Sequence, residues 1–286
     1  MTALLEDWHR RAAPATDDNP DTNLQYLCSR PALAEYASPA MDQSISLPPT
    51  YRPVATGPED DPLSAAAAAA ADGAEPGTFV WSPRYDRADC AVILAPETPL
   101  SESLLVSYVV MTAAGDSLGA LIPPAIPVAF GWPDRIVVSG ATAGGIRLVA
   151  PDPSALDQVP DWMAVGITFA LRRDLASETA NRAPNSTTLE EEGCGDLEAV
   201  ALLESFSRHL LYWMDRWQDE GFGPVKAAWL ARAVGYGPNT GMEHGGDWAQ
   251  RKLLWLNADG GVQYSDNDNE VSAPLAQILE KPSWAI

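Results

Sequence analysis

Phe130-Gly-Trp-Pro-Asp-Arg-Ile-Val-Val-Ser-Gly-Ala-Thr-Ala-Gly-Gly-Ile-Arg-Leu148 sets the reading of the whole chain. Arg135–Ser139 and Ile146–Ala150 are short runs of apolar and β-branched residues, the composition of strands. Between them Gly140-Ala-Thr-Ala-Gly144 reads as a hairpin loop, small and bounded by glycine. Val128–Phe130 reads as a third strand just upstream.

Outward from this centre, strand and helix signals alternate. Thr78–Trp81 and Cys90–Leu94 are short apolar runs bounded by Pro and Gly, and Trp162–Leu171 is a longer strand. Ser103–Leu121 carries apolar residues at the spacing of a buried helix. The alanine run Ala65–Ala71 favours a helix that Asp72-Gly73 stops. Leu47-Pro-Pro-Thr-Tyr-Arg-Pro53 is extended chain leading into the folded part.

The clearest helix follows Asp196, whose carboxylate can cap it. Val200, Leu203, Phe206, Leu210, Trp213, Met214 and Trp217 form one apolar stripe, with charge opposite. Gly221 ends this helix, and Pro224 opens a second that stops near Gly235. Lys252–Asn257 and Val262–Ser265 flank Asp259-Gly-Gly as a hairpin in a small β-rich tail. The pattern predicts an α/β or α+β layer fold, a mixed β-sheet flanked by helices. Three segments follow: 1–45 as an acidic, Pro-rich extension, 46–236 as the main domain and 237–286 as the small C-terminal β-rich segment.

Charge restricts partners. Of 286 residues, 39 are acidic and 18 basic, a net charge of −21, and the first 225 residues hold no lysine. Such a chain repels nucleic acid and anionic membrane. The acidity serves solubility, a saline or alkaline setting, or a docking surface for a basic partner. No run of about 18 apolar residues predicts a membrane span, and the N-terminus lacks the pattern of a signal peptide. Cys28, Cys90 and Cys194 are too widely spaced for a disulfide framework or a metal knuckle, and the expectation is a cytoplasmic protein with reduced thiols. His9, His209 and His244 share no metal-ligand spacing, so no metal site is expected. In the extension, Trp8, Tyr26, Leu27 and Tyr36 are costly to leave in water. They either dock onto a protein partner or fold back onto the domain.

The quoted stretch resembles, without a gap, the central segment of biotin–protein ligases, Lys-Trp-Pro-Asn-Asp-(apolar)₃-x-Gly-x-Lys-x-Ala-Gly-Ile-Leu. The frame coincides at Trp132, Pro133, Ile136, Gly140, Gly145 and Ile146. Gly131 and Thr142 stand where that family has lysines, and Asp134-Arg135 where it has Asn-Asp. Upstream, Gly77-Thr-Phe-Val-Trp81-Ser-Pro83 resembles the tail of the family's Arg/Gly loop without its arginines. Downstream, Val165-Gly166-Ile-Thr-Phe-Ala170-Leu171 sits where the family has Gly-Ile-Gly-x-Asn, with Ala170 at the Asn. The resemblance to the biotin/lipoate ligase family covers roughly residues 47 to 235. It implies the family's catalytic-domain fold and a ligand pocket formed by Trp81, Trp132, Pro133, Asp134, Gly140, Gly144, Gly145 and Gly166.

The activity so implied joins a carboxylate to the α-phosphate of ATP and passes the acyl group to a carrier-domain lysine. That step brings two anions within about 3 Å of each other and needs fixed positive charge to hold them. With the loop arginines and both lysines replaced, two readings stand. In one the chain is a degenerate ligase, a pseudoenzyme acting as a binding, scaffold or accessory subunit with no cofactor. In the other it is a divergent ligase using biotin or lipoate, ATP and Mg²⁺, with Arg135 and Arg147 in place of the lysines. Arg135 and Arg147, on opposite strands of the hairpin, then point together; otherwise each serves as a surface partner for a carboxylate. Asp134 is either an Mg²⁺ contact or a turn residue.

Overall fold

The computed structural model describes residues 44–173, 183, 185–237, 251–266 and 269–286, and Gln43–Ile286 forms one compact unit. Trp8, Tyr26, Leu27 and Tyr36 lie outside the described residues.

Seven strands build the main sheet: β1 (Arg52–Ala55), β2 (Thr78–Ser82), β3 (Arg87–Leu94), β4 (Val128–Gly131), β5 (Arg135–Val138), β6 (Ala141–Val149) and β7 (Met163–Ala170), in the order β1-β2-β3-β7-β6-β5-β4. Only β1 and β2 pair in parallel; the other neighbours are antiparallel, so the sheet is mixed as expected.

The central hairpin corrects the sequence reading. Its turn is just Ser139-Gly140, both at positive φ (49° and 88°), and Ala141–Gly145 already belong to β6. Two consecutive residues at positive φ give the two-residue turn whose twist matches the flanking strands. Gly140–Gly144 reads as a loop in the sequence because it carries no bulky alternation, but only Gly140 of it lies in the turn.

Among the described residues, five helices flank the sheet. α1 (Pro62–Ala71) starts as its residues dictate: Asp61 caps it by accepting from Ser64 N at 3.2 Å, and Pro62 occupies the first turn. The buried stretch splits into a short α2 (Leu100–Ser103) and a long α3 (Val106–Leu121). Leu100–Leu121 is long and apolar enough to cross a membrane by length and composition, yet 78% of that window is buried in the protein, as a core helix is.

α4 (Ala199–Glu220) carries the expected apolar stripe, with Leu203, Phe206, Leu210 and Trp213 buried. Its cap differs from expectation. The helix begins at Ala199 after Glu198, with no side-chain cap, so Asp196 lies outside it. Arg172 holds this turn instead, donating to Gly195 O at 2.6 Å and to Glu198 at 3.3 Å. Gly221 (φ 75°) breaks the helix, and α5 (Phe222–Leu230) ends five residues before Gly235. The chain leaves α5 early because its backbone is needed at the sheet edge: Phe130 N donates to Arg232 O, and Val234 N to Phe130 O, both at 2.9 Å.

β8 (Arg251–Leu256), β9 (Val262–Asp266) and β10 (Asn269–Ala273) form a second, antiparallel sheet, followed by a 3-10 turn at Leu275–Leu279. The expected hairpin is there, with one strand more. Its described apolar residues Leu253, Leu256 and Val262, with Ile278 of the turn, join the main cluster. Tyr108 of α3 reaches across to donate to Gly260 O at 2.5 Å.

The core lies mostly on one face of the large sheet. Phe79, Trp81, Val92, Ile136, Ile146 and Ile167 pack there with α3, α4 and α5. On the other face α1 lays Leu63, Ala66 and Ala70 over Val80, Ala91, Ile93 and Ala164.

Candidate functional site

Strand register builds the candidate site on the α1 face. Ser82 pairs with Asp89, Asp89 with Thr168, Thr168 with Gly145 and Gly145 with Arg135. Directly paired residues point to the same side of a sheet, so these five form one lateral row across β2, β3, β7, β6 and β5. The adjacent row, Val80, Ala91, Gly166 and Arg147, passes under the first turn of α1, where Leu63 rests on Gly166. The row beyond α1 is therefore mostly polar, while the rows beneath it are apolar except for Arg147.

Asp89 is the unusual member. It is 7% exposed, its Oδ1 has no hydrogen-bond partner, and Arg87 Nε lies 3.7 Å from its other oxygen. Burial pushes its carboxyl up to about 6, although the Thr168 hydroxyl, Arg87 and Arg84 favour the charge. An ionised, half-satisfied carboxylate beneath the site repels anions and favours a ligand group bearing N–H donors.

Each arginine near the site has a carboxylate or tail partner. Arg84 grips Asp86 with two bonds of 2.8 Å; burial alone would raise the Asp86 carboxyl, but Arg84 and Arg87 hold it below the usual range. Arg87 lies 3.3 Å from Asp86. Arg147 donates to both oxygens of Asp61, at 3.2 and 2.5 Å. Against the opposing effect of burial, those bonds and Ser64 lower the Asp61 carboxyl. Arg135 Nε donates to Ser283 Oγ at 3.0 Å. Arg135 and Arg147 thus share a face, as the hairpin suggested, but are drawn to opposite partners.

Asp134 is a buried turn residue between β4 and β5. Ser283 N donates to its Oδ2 at 2.8 Å and Ser283 Oγ to its Oδ1. Burial raises its carboxyl in spite of these bonds. Trp284 Nε1 donates to Ile146 O at 3.2 Å, and its indole lies against Gly145, where an added Cβ would meet Nε1 at 2.3 Å.

The other residues named from the sequence disperse. Trp81 and Trp132 are core residues on the opposite face; Trp132 Nε1 donates to Tyr108 Oη at 2.9 Å. Pro133 follows Trp132 through a cis peptide. Gly140 is in the turn at the far end of β5 from Asp134. Gly144 is a packing glycine, since a Cβ would meet Thr168 O at 2.0 Å. Only Asp134, Gly145 and Gly166 come to the α1 face with the two arginines. Thr142 has its backbone bonded to Asn185 and Thr187 at 2.8 Å, and a Cβ on Gly131 would press on Arg135 at 3.1 Å. Among the described residues no cluster of His, Cys, Asp and Glu could hold a metal ion.

Sequence reasoning missed Ser82, Asp89, Thr168, Asp61, Ser283 and Trp284. Asp89 left one signal, a carboxylate in an otherwise apolar strand core. The others become visible only through register or tertiary contact.

Residues 47–231 match the profile of the biotin/lipoate A/B protein ligase family. A biotin–[acetyl-CoA-carboxylase] ligase of Paracoccus denitrificans is 25% identical over 146 residues, 51% of this chain and 60% of that protein; the chain thus matches only about three-fifths of that relative's length. Among solved structures, a biotin protein ligase-like protein of unknown function from Silicibacter sp. TM1040 superposes with a TM-score of 0.72 at 29% identity, over 83% of this chain and 100% of that one. The biotin protein ligase of Aquifex aeolicus gives 0.60 at 14% identity, over 78% and 95%, a likeness of fold.

Proposed function

The chain belongs to the biotin/lipoate A/B protein ligase family, and from that premise we propose that it is a binding member of the family. On this reading it docks a biotinyl- or lipoyl-type ligand, or the carrier domain that bears one, and forms no acyl-adenylate. It is then an accessory subunit that works through protein–protein contact, in a reducing, cytoplasmic setting that suits Cys90 and Cys194 as free thiols.

The observation that carries this reading is the engagement of the arginines. Adenylation needs cations aimed at two approaching anions, and losing one such contact typically costs about 10²–10³ in rate. Here Arg84, Arg87 and Arg147 are paired with the carboxylates of Asp86 and Asp61, while Arg135 donates to the Ser283 hydroxyl and interacts with the Asp134 carboxylate. Beside them stand the buried carboxylates of Asp89 and Asp134. The competing reading, a ligase using biotin or lipoate with ATP and Mg²⁺, requires Arg147 to leave Asp61.

The relative from Paracoccus is named as acting on acetyl-CoA carboxylase, and a biotinyl carrier domain is accordingly the partner to test. Immobilised full-length chain is offered apo carrier domain with biotin, ATP and Mg²⁺, and the eluted carrier is weighed by mass spectrometry. Retention of carrier with no mass gain is expected. A biotinyl increment on the carrier overturns the reading; passage of the carrier without retention removes carrier docking and leaves binding of the free ligand, which titration with an adenylate analogue decides.

A further inference from the structure

The chain's last residues sit on the candidate site. Leu275 and Ile278 of the 3-10 turn are anchored in the core, whereas Lys281, Pro282 and Ser283 are exposed. From that anchor the tail crosses to the notch between β5 and β6, 149 residues away in sequence at the Ser283–Asp134 contact. The notch exists because β5 begins only at Arg135, after the Trp132-Pro133-Asp134 turn, whereas β6 runs on to Val149. Ile146 N donates to Asp134 O at 2.8 Å at the end of the ladder, and the Ile146 carbonyl takes the Trp284 indole N–H. The tail closes the ladder where the strand stops.

Two residues supply the polar contacts of this closure. Ser283 binds both oxygens of Asp134 and accepts from Arg135. Trp284 covers Gly145, the member of the polar row between Thr168 and Arg135. Gly145 has no room for any side chain in this arrangement, and the nearest obstacle is Trp284 itself.

Resting on the binding role proposed above, we infer that Ser283-Trp284 is an internal occupant of the ligand site: the tail holds the site closed, and a ligand enters by displacing it. The arrangement suits displacement. The contacts come from residues after the 3-10 turn that belong to no helix or strand and are mostly exposed, so letting go disturbs neither sheet. Ala285 and Ile286 beyond it are exposed as well. Displacement uncovers Gly145 and releases both Asp134 and Arg135 from Ser283, leaving the two side by side. Affinity in the full chain is then lowered by the fraction of molecules with the tail in place.

The test titrates a non-hydrolysable biotinyl-adenylate analogue, and separately a lipoyl-adenylate analogue, into the full chain and into a chain ending at Lys281. The shortened chain should bind about tenfold more tightly, as when the open form is about one molecule in ten. In the full chain, saturating analogue should speed hydrogen exchange at the Ser283 amide, which Asp134 otherwise holds. If the shortened chain melts early, W284A carries the comparison, since it keeps the backbone and removes the indole. Equal affinities with a still-protected Ser283 amide overturn the tail inference and leave the binding role standing. Absence of binding to both chains overturns the ligand-binding role, and the tail inference with it.

Discussion

Arg147 and Asp61 face each other across the gap between β6 and the first turn of α1, with NH2 at 2.5 Å from Oδ1 and NH1 at 3.2 Å from Oδ2. Asp61 is also the N-cap of α1. One carboxylate thus caps a helix and neutralises Arg147, one of the two arginines on this face.

That double use separates the two substitutions. Asp61→Ala removes the cap, worth about 0.5–2 kcal/mol, and leaves Arg147 without its carboxylate. Arg147→Ala removes only a pair that is about a third exposed at each end, worth about 0–1 kcal/mol. Urea unfolding should therefore show Asp61→Ala as the more damaging change. The reverse order would mean that Arg147 has a structural role beyond this pair.

Tyr108 should be the most sensitive single polar residue in the core. It accepts from Trp132 Nε1 and donates to Gly260 O, so it ties the main sheet to the small one. Tyr108→Phe keeps the ring and strands two buried groups, at about 1–3 kcal/mol for each group left unsatisfied. A loss well under 1 kcal/mol by urea unfolding would show that water replaces both bonds.

Acidity should act through Asp89. Its folded pKa of about 6 exceeds the unfolded value of about 3.9. Between these values the folded protein holds a proton that the unfolded chain has released. Stability therefore falls as pH rises from about 4 to about 6, and the penalty is complete above that. Asp134, also raised, adds in the same direction. Asp61 and Asp86 are lowered, so they act oppositely, their contribution disappearing only below about pH 4. Asp89→Asn should flatten the slope between pH 4.5 and 6.5 and raise the unfolding midpoint at pH 7. An unchanged slope would locate the titration elsewhere.

The N-terminal extension is predicted from its aromatic residues to dock. Removing residues 1–45 should weaken capture of a carrier domain while the thermal transition of the remaining domain stays nearly fixed. If the transition also falls by several degrees, Trp8, Tyr26, Leu27 and Tyr36 belong to the core instead.

Periodicity made much of this fold legible. The α4 stripe and the apolar strands announce themselves because burial repeats every 3.6 or 2 residues. The central hairpin was placed but its turn misjudged, because Ala141–Gly145 contains nothing large enough to show alternation. Asp196 looked like a cap because a capping residue type preceded a helical pattern. The backbone there answers to Arg172, a partner that local sequence does not reveal. The site was less legible still. Ser82, Asp89, Thr168, Gly145 and Arg135 meet only through the register of five strands, and Asp134 meets Ser283 only through tertiary folding. The missing lysines were readable in the sequence; what holds the remaining arginines was not.

Isotope exchange between pyrophosphate and ATP, with Mg²⁺ and biotin, lipoate or octanoate, shows whether the chain forms an acyl-adenylate. It should be run on both the full chain and the chain ending at Lys281, so that a closed tail cannot hide an active site. No acid-dependent exchange above the protein-free blank is expected from either chain. Exchange that requires one of these acids would show that the arginines leave their partners and form the adenylate, and would contradict the binding role.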